Sequence, residues 1–482
     1  MNSTNFAPAG KPAAAPGRRM RPQNRLRPCA RTFAAAIGSV ALLASQTTSA
    51  WAGCNFGPGV IRDAESETLI RDYAAPILKA AGVASAGVRI YLVNDNTFNA
   101  FVSDRQRMFI NTGAIAQTKT PNELIGVIAH ETGHIEGGHL ALLYSEMARV
   151  QTASIIAVLA GIGAAAAGIA TGNRGGVSAG QAIMTGGQSA IIRQMLMNRR
   201  AFESSADQAG IRYLNATGQS PRGMLETFRG FADQVLVSAR STDPYLQSHP
   251  MPRDRMSALE EEARKSRFFN RVDPPELQSR HDLMRAKLAG FLSRPDTVFR
   301  IYPPGDTSLA ARYAHAISRY CGQGLRASLK DMDGLIAAEP KNPYFHELKG
   351  QALLESGFGR EAVGPLATAV SLAPKEGLIR ILLGQALLAT NDRKLLDKGI
   401  EALAAGARME PESAMAYRQL AIAYGQKGQI ADALYSSAMG ALIGGDIKEA
   451  KVYARRAQQR AGNGSRLWNL SQDILNIPDP DR

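Results

Sequence analysis

The sequence predicts a mainly α-helical chain with a small β-sheet in its first half (α+β), followed by an all-α solenoid of repeats. Two observations carry this. An apolar-striped helix runs into a cluster of chemistry-bearing residues at 122–138, next to the strand-like Met108-Phe109-Ile110-Asn111. Far downstream, Gly-Gln-Ala-Leu-Leu occurs at 350–354 and again at 384–388, an interval of 34 residues.

The helix comes first. Asn122-Glu123 open it, Leu124, Ile125, Val127 and Ile128 form its apolar stripe, and Gly137-Gly138 give it a stop. Inside it lies His130-Glu131-Thr132-Gly133-His134. Positions i and i+4 share a helix face, so His130 and His134 can present two imidazoles to one metal ion. Glu131 then lies beside the metal, where it can take a proton from water.

A catalytic zinc site needs three protein ligands and an open position. Gly137 keeps the metzincin spacing, but His139 falls one residue short of it, because position 140 is Leu. His139 therefore reads as a helix-end or surface histidine. The better third ligand lies in Arg199-Arg200-Ala201-Phe202-Glu203-Ser204-Ser205-Ala206-Asp207, where Glu203 and Asp207 share a face among small and apolar residues. Glu203 can ligate a metal, and Asp207 can accept the N–H of a ligand histidine and fix its tautomer. Ser248-His249-Pro250-Met251-Pro252 reads as a rigid loop carrying one histidine.

Taken together, H-E-T-G-H, E-S-S-A-D and S-H-P-M-P-R-D-R resemble the BepA-like branch of the gluzincin proteases, relatives of HtpX and the CAAX prenyl endopeptidases. The resemblance covers roughly residues 60–270 and extends to Asn99-Ala100-Phe101 and Met108–Gly113. It implies a zincin-type protease domain with one Zn2+ per chain, bound by His130, His134 and Glu203, and Glu131 as general base and acid. It further implies that Asp207 and Arg255 support the site, and that His249 contacts the metal or stabilises the transition state. The chain departs from the family's E-x-E-A-D at Ala201 and Ser205, which leaves local hydrogen bonding there open.

The chain has 482 residues, enough for two or three domains, and a formal net charge of +14. Seven of its basic residues lie in the first 52, which hold no acids. That basic stretch, the apolar run Thr32–Ser45 and Ala50-Trp51-Ala52 read as a secretory signal. Cys54 offers a lipoprotein alternative, which Trp51 disfavours. Cleavage would leave Cys54 and Cys321, a pair that can form a disulfide in an exported protein. No nucleic-acid motif accompanies the surplus charge, so it suits contact with an anionic membrane surface better than nucleic acid. Residues 150–173 carry no charge and are long enough to span a bilayer. Their Ala and Gly content favours a buried or flexible helical hairpin, or a cover for the cleft, over insertion.

The 34-residue interval is that of tetratricopeptide repeats. Pro340 and Pro374 keep it, while Pro411 follows at 37, so a three-residue insertion is expected near Asn391 to Asp397. The third core reads Leu420-Ala421-Ile422-Ala423-Tyr424, and Trp468 and Leu470 are expected to cap the last helix. Stacked repeats offer a concave surface for peptides or partner proteins.

The expected organisation is a signal peptide (1–52), a metalloprotease domain (53–290) with a hydrophobic insert (150–190), a linker (291–306) and repeats (307–482). The expected function is zinc-dependent endoproteolysis of misfolded or stalled envelope proteins in the periplasm. The repeats would dock substrate or outer-membrane assembly machinery, and a substrate strand would pair with an edge strand near Met108–Asn111. The alternative is a chaperone or adaptor with little proteolysis.

Overall fold

The computed structural model describes residues 54, 57–84, 87–104, 107–149, 196–237, 245 and 248–479, with isolated positions 155, 158, 159 and 162. The expected signal peptide and most of the hydrophobic insert lie outside the described residues. Among the described residues no helix is long and apolar enough to cross a membrane.

Four short strands form one sheet: β1 (Val60–Ile61), β2 (Arg89–Val93), β3 (Ala100–Asp104) and β4 (Arg107–Asn111), in the order β1-β2-β4-β3. β4 pairs parallel with β2 over the full register from Arg89↔Arg107 to Val93↔Asn111, and antiparallel with β3. This corrects the edge assignment: Met108–Asn111 lies inside the sheet, and Ala100–Asp104 is the edge. Alternation of apolar residues marks a strand but not its neighbours. Met108 and Ile110 turn inward and are fully buried. On the other face the rings of Phe101, Phe109 and Tyr91 stack in a row, with centroids 5.1 and 5.2 Å apart.

Helix α1 (Ala64–Ala80) starts at Asp63, whose carboxylate accepts from Ser66 N, and buries Leu69, Ile70, Tyr73 and Ile77. A short α2 (Thr112–Gln117) follows β4 directly. Helix α3 (Pro121–Glu136) starts one residue earlier than the sequence suggests, with Pro121 in its first turn. The Thr120 hydroxyl accepts from Glu123 N at 3.3 Å, and the Glu123 carboxylate accepts from Lys119 N at 2.7 Å, a reciprocal cap. Asn122 is buried and joins α3 to the Arg222–Val237 helix, accepting from Gly223 N and donating to the Ser220 carbonyl, each at 2.7 Å.

The second half is a run of antiparallel helix pairs. Pro343–Glu355 pairs with Gly359–Leu372, Gly377–Ala389 with Arg393–Met409, and Ala414–Lys427 with Ile430–Ile443. The repeated glycines have a packing reason. A Cβ on Gly350 would overlap the Leu366 side chain, and one on Gly384 would overlap that of Leu403. The three extra residues extend the helix Arg393–Met409, which has 17 residues against 14 in Gly359–Leu372, so the preceding turn is not lengthened.

The two halves share a boundary. Helix Pro275–Leu292 places Met284 and Leu288 in the first core and Leu283 and Ala286 in the second. The stretch read as a linker contains a helix, Pro295–Ile301, with Val298 fully buried. Lys287 is buried at this boundary, 2.5 Å from Asp63, 3.4 Å from Glu347 and 3.5 Å from Glu65. Burial pushes the Glu65 and Glu347 carboxyls up to about 7 against the pull of Lys287. Cys54 and Cys321 form a disulfide, which settles the pairing that the sequence left open. Further along, Arg62 pairs with Glu410, Arg71 with Glu376, and Arg89 and the Tyr91 hydroxyl with Glu412.

His281 is fully buried between the Tyr73 hydroxyl on Nδ1 and the Thr118 carbonyl on Nε2, each at 3.1 Å. Burial lowers its pKa to about 4, with the Thr118 bond opposing and Arg285 assisting. The folded state therefore binds this proton less readily than the unfolded state. The stability it confers is complete above pH 6.5 and is lost as pH falls towards 4. Between pH 7 and pH 5 its share of the loss is about 2 kcal/mol. Urea unfolding of His281→Gln at the two pH values should show a smaller loss than the parent by about that amount. Equal losses would refute the assignment.

Candidate metal centre

Two helices build the centre by approaching very closely. A Cβ on Gly133 of α3 would lie 2.9 Å from both Cα and the carbonyl oxygen of Ala206, so only glycine fits without backbone movement. Ala206 belongs to the helical stretch 196–216. This crossing sets the His130–His134 face against the Glu203–Asp207 face.

The seven residues singled out in the sequence come together. His130 Nε2 lies 3.1 Å from His134 Nε2 and 3.5 Å from Glu203 Oε2, and His134 Nε2 lies 3.6 Å from Glu203 Oε1. The two imidazole nitrogens and the Glu203 carboxylate, which presents one oxygen to each of them, are thus close enough to serve one small cation, whose tetrahedral donors lie about 3.3–3.6 Å apart. His249 Nδ1 sits 3.3 Å from His130 Nε2 and 3.0 Å from Glu203 Oε2, close to a fourth vertex. One ligand atom from each of the four residues lies within 4.8 Å of all the others.

The supporting shell fixes these donors. His130 Nδ1 lies 2.9 Å from Asp207 Oδ1, which leaves Nε2 facing the other donors. Arg255 grips Asp207 with Nε at 2.6 Å and Nη2 at 2.8 Å, and its Nη1 reaches Glu203 Oε2 at 2.9 Å. Burial works against charge on both carboxylates. His249 and His130 nevertheless hold Glu203 far below the usual carboxylate range, and Arg255 and His130 hold Asp207 low. Burial likewise pulls His130 down, but Asp207 and Glu203 outweigh it and raise its pKa to about 9. Glu131 is buried with its carboxyl pKa raised by burial; its Oε1 has no hydrogen-bond partner among the described residues and faces His249 Nε2 at 3.5 Å. An orphaned carboxylate oxygen beside a triad of donors suits a group that handles water's proton.

His139 corrects the sequence reading. It is neither at the end of α3 nor on the surface. Gly137 ends α3, Gly138 turns the chain at φ +61°, and His139 opens the next helical stretch, 139–149. The ring is buried, stacks on Phe202 with centroids 4.8 Å apart, and puts Nδ1 3.0 Å from His134 Nδ1. A Cβ on Gly137 would overlap this ring. The signal lay in the Gly-Gly break, which reverses the chain and brings His139 back over His134. Tyr245 was also missed: it stacks on His249 at 4.7 Å, and its carbonyl accepts from His249 N at 2.6 Å. Edge strand β3 completes the cleft, with Phe101 and Val102 facing Glu131, His134 and Phe202 across a cavity of about 380 Å³.

Residues 62–263 match Peptidase family M48. Over that stretch the chain is similar to M48 peptidases. The chain is 23% identical over 322 residues to the beta-barrel assembly-enhancing protease of Escherichia coli K12, covering 65% of this chain and 63% of that protein. It is 24% identical over 313 residues to the protein of the same name from Yersinia pestis, covering 61% and 60% respectively. A Vibrio cholerae relative is 29% identical over 209 residues, covering 42% and 40%. The chain thus spans less than two thirds of the length of these relatives.

Two outcomes follow for the M48 centre. His139→Phe keeps the stack on Phe202 but removes the partner of His134 Nδ1, and should weaken metal affinity roughly 10–100-fold. Competition with a chromogenic chelator measures this; unchanged affinity would make His139 a packing residue only. Gly133→Val should abolish stoichiometric metal uptake while α-helical circular dichroism persists, because the helices separate rather than unfold.

Proposed function

We propose that the chain is a zinc-dependent metalloendopeptidase of the bacterial periplasm, acting on misfolded or stalled envelope proteins. The observation that supports it most is the convergence of His130, His134 and Glu203 with the unpartnered Glu131 oxygen beside them. Two imidazoles and a carboxylate suit zinc. Residues 53–290 would form the protease domain and residues 307–482 the tetratricopeptide domain that docks substrate or assembly machinery. The relatives' name, beta-barrel assembly-enhancing protease, supports a substrate among outer-membrane proteins.

His130, His134 and Glu203 would hold the ion, which when bound supplies Lewis acidity and a nucleophile at neutral pH. Glu131 takes the proton of the attacking water and delivers it to the leaving amine. His249 Nε2, near Glu131, is placed to donate to the developing oxyanion. Asp207 and Arg255 hold His130 and Glu203 in register. An extended chain pairs with β3, the sheet edge, rather than with β4.

The position of His249 Nδ1 beside the three donors favours a second reading, a resting state in which this imidazole takes the fourth ligand position. His249→Ala then raises casein cleavage. A fall instead would assign His249 to the transition state alone.

The main test is metal content and casein cleavage of residues 53–482 beside Glu131→Gln. The expected result is about one zinc per chain in both, with cleavage reduced at least roughly a hundredfold in the variant. Zinc binding with no cleavage by either protein would favour the chaperone or adaptor alternative.

A further inference from the structure

Beside the metal cleft lies a second, smaller cavity of about 160 Å³, between edge strand β3 and the 139–149 helical stretch. Val102, Ile135, Gly138, Leu140, Ala141 and Tyr144 form most of its wall, and His134 closes one end. The Ser103 and Tyr144 hydroxyls are its other polar groups, and among the described residues no carboxylate lines it. Val102, His134 and Leu140 also line the metal cleft, so the two cavities are adjacent and share a wall. The size suits one side chain such as leucine or phenylalanine, and the lining offers it apolar contact. A strand added to β3 sends alternate side chains to one face of the sheet, so a fixed position of that strand faces this cavity.

We infer that this cavity is a specificity subsite that selects a bulky apolar side chain at one fixed position relative to the scissile bond. The inference rests on the proposed endopeptidase reading and deepens it. Ala141 and Tyr144 set the size of the subsite and stand apart from the metal donors. An apolar pocket of this kind discriminates by size, at roughly tenfold or more per methylene that is lost or will not fit.

The experiment is a cleavage-site profile of casein, read by mass spectrometry, for the mature chain, Ala141→Phe and Tyr144→Ala, with zinc content measured for each. The parent should show Leu, Phe, Ile or Met enriched at one position. Ala141→Phe fills the cavity, and the enrichment should fall roughly tenfold in favour of small residues. Tyr144→Ala opens it, and the profile should widen to larger aromatic side chains. A parent profile without apolar enrichment, or one that neither variant alters at full zinc content, would overturn the subsite. Absence of any casein cleavage by the zinc-loaded parent would instead count against the endopeptidase reading itself.

Discussion

The contact between Gly133 and Ala206 is the constraint on which the centre depends. The histidine pair and the acidic pair come from helices with about 60 residues of sequence between them, and neither pair could complete a site alone. Their approach is limited by backbone thickness at this point, because a single Cβ on residue 133 would meet backbone atoms at 2.9 Å. Gly126 repeats the device two turns earlier, where a Cβ would meet Met224 of the Arg222–Val237 helix. Helix α3 is thus held at two points along one face by close contacts that admit no side chain. Its direction, and with it the aim of His130 and His134, follows from those contacts.

Such packing also explains how so much charge is tolerated. Glu203, Asp207, Arg255, His130 and Glu131 are all nearly buried, and an isolated buried charge is costly. Here each has a partner except Glu131 Oε1. Arg255 spans both carboxylates, while the Phe228 ring lies 5.7 Å beneath its guanidinium and 5.2 Å from His130. The network holds the donors of His130 and Glu203 in place and leaves Glu131 Oε1 without a hydrogen bond beside the cleft. Preorganisation of this kind lets a site accept a cation without rearranging its donors.

Much of this was legible in the sequence, for a physical reason. The spacing i, i+4 is a local rule, so H-E-T-G-H and the Glu203–Asp207 pair each announced one face of a helix. The 34-residue recurrence announced the helix pairs, and Gly350 and Gly384 explain it, since each receives a leucine of the paired helix. What was not legible depends on chain reversal or on non-local order. His139 gains its place only because Gly137 and Gly138 turn the chain back on itself. The sheet edge moved from β4 to β3 because β2 pairs with β4 across an intervening strand, which no local pattern encodes. The extra three residues at the third repeat went into a helix, where they preserve the turn at Thr390–Asp392.

The same non-local order ties the helix pairs to the first half of the chain. Lys287, Cys54–Cys321 and the Glu410–Glu412 contacts bridge the two halves at three separate places, and helix Pro275–Leu292 contributes side chains to both cores. A swinging linker would have left that helix with an exposed apolar face. Instead the 291–306 stretch folds into the second core through Val298. The Tyr91–Phe109–Phe101 row runs from the Glu412 contact to the cleft edge, so a shift of the repeats would bear on the sheet whose edge faces the metal donors. A sheet, rather than a flexible connection, thus lies between the helix pairs and the cleft edge.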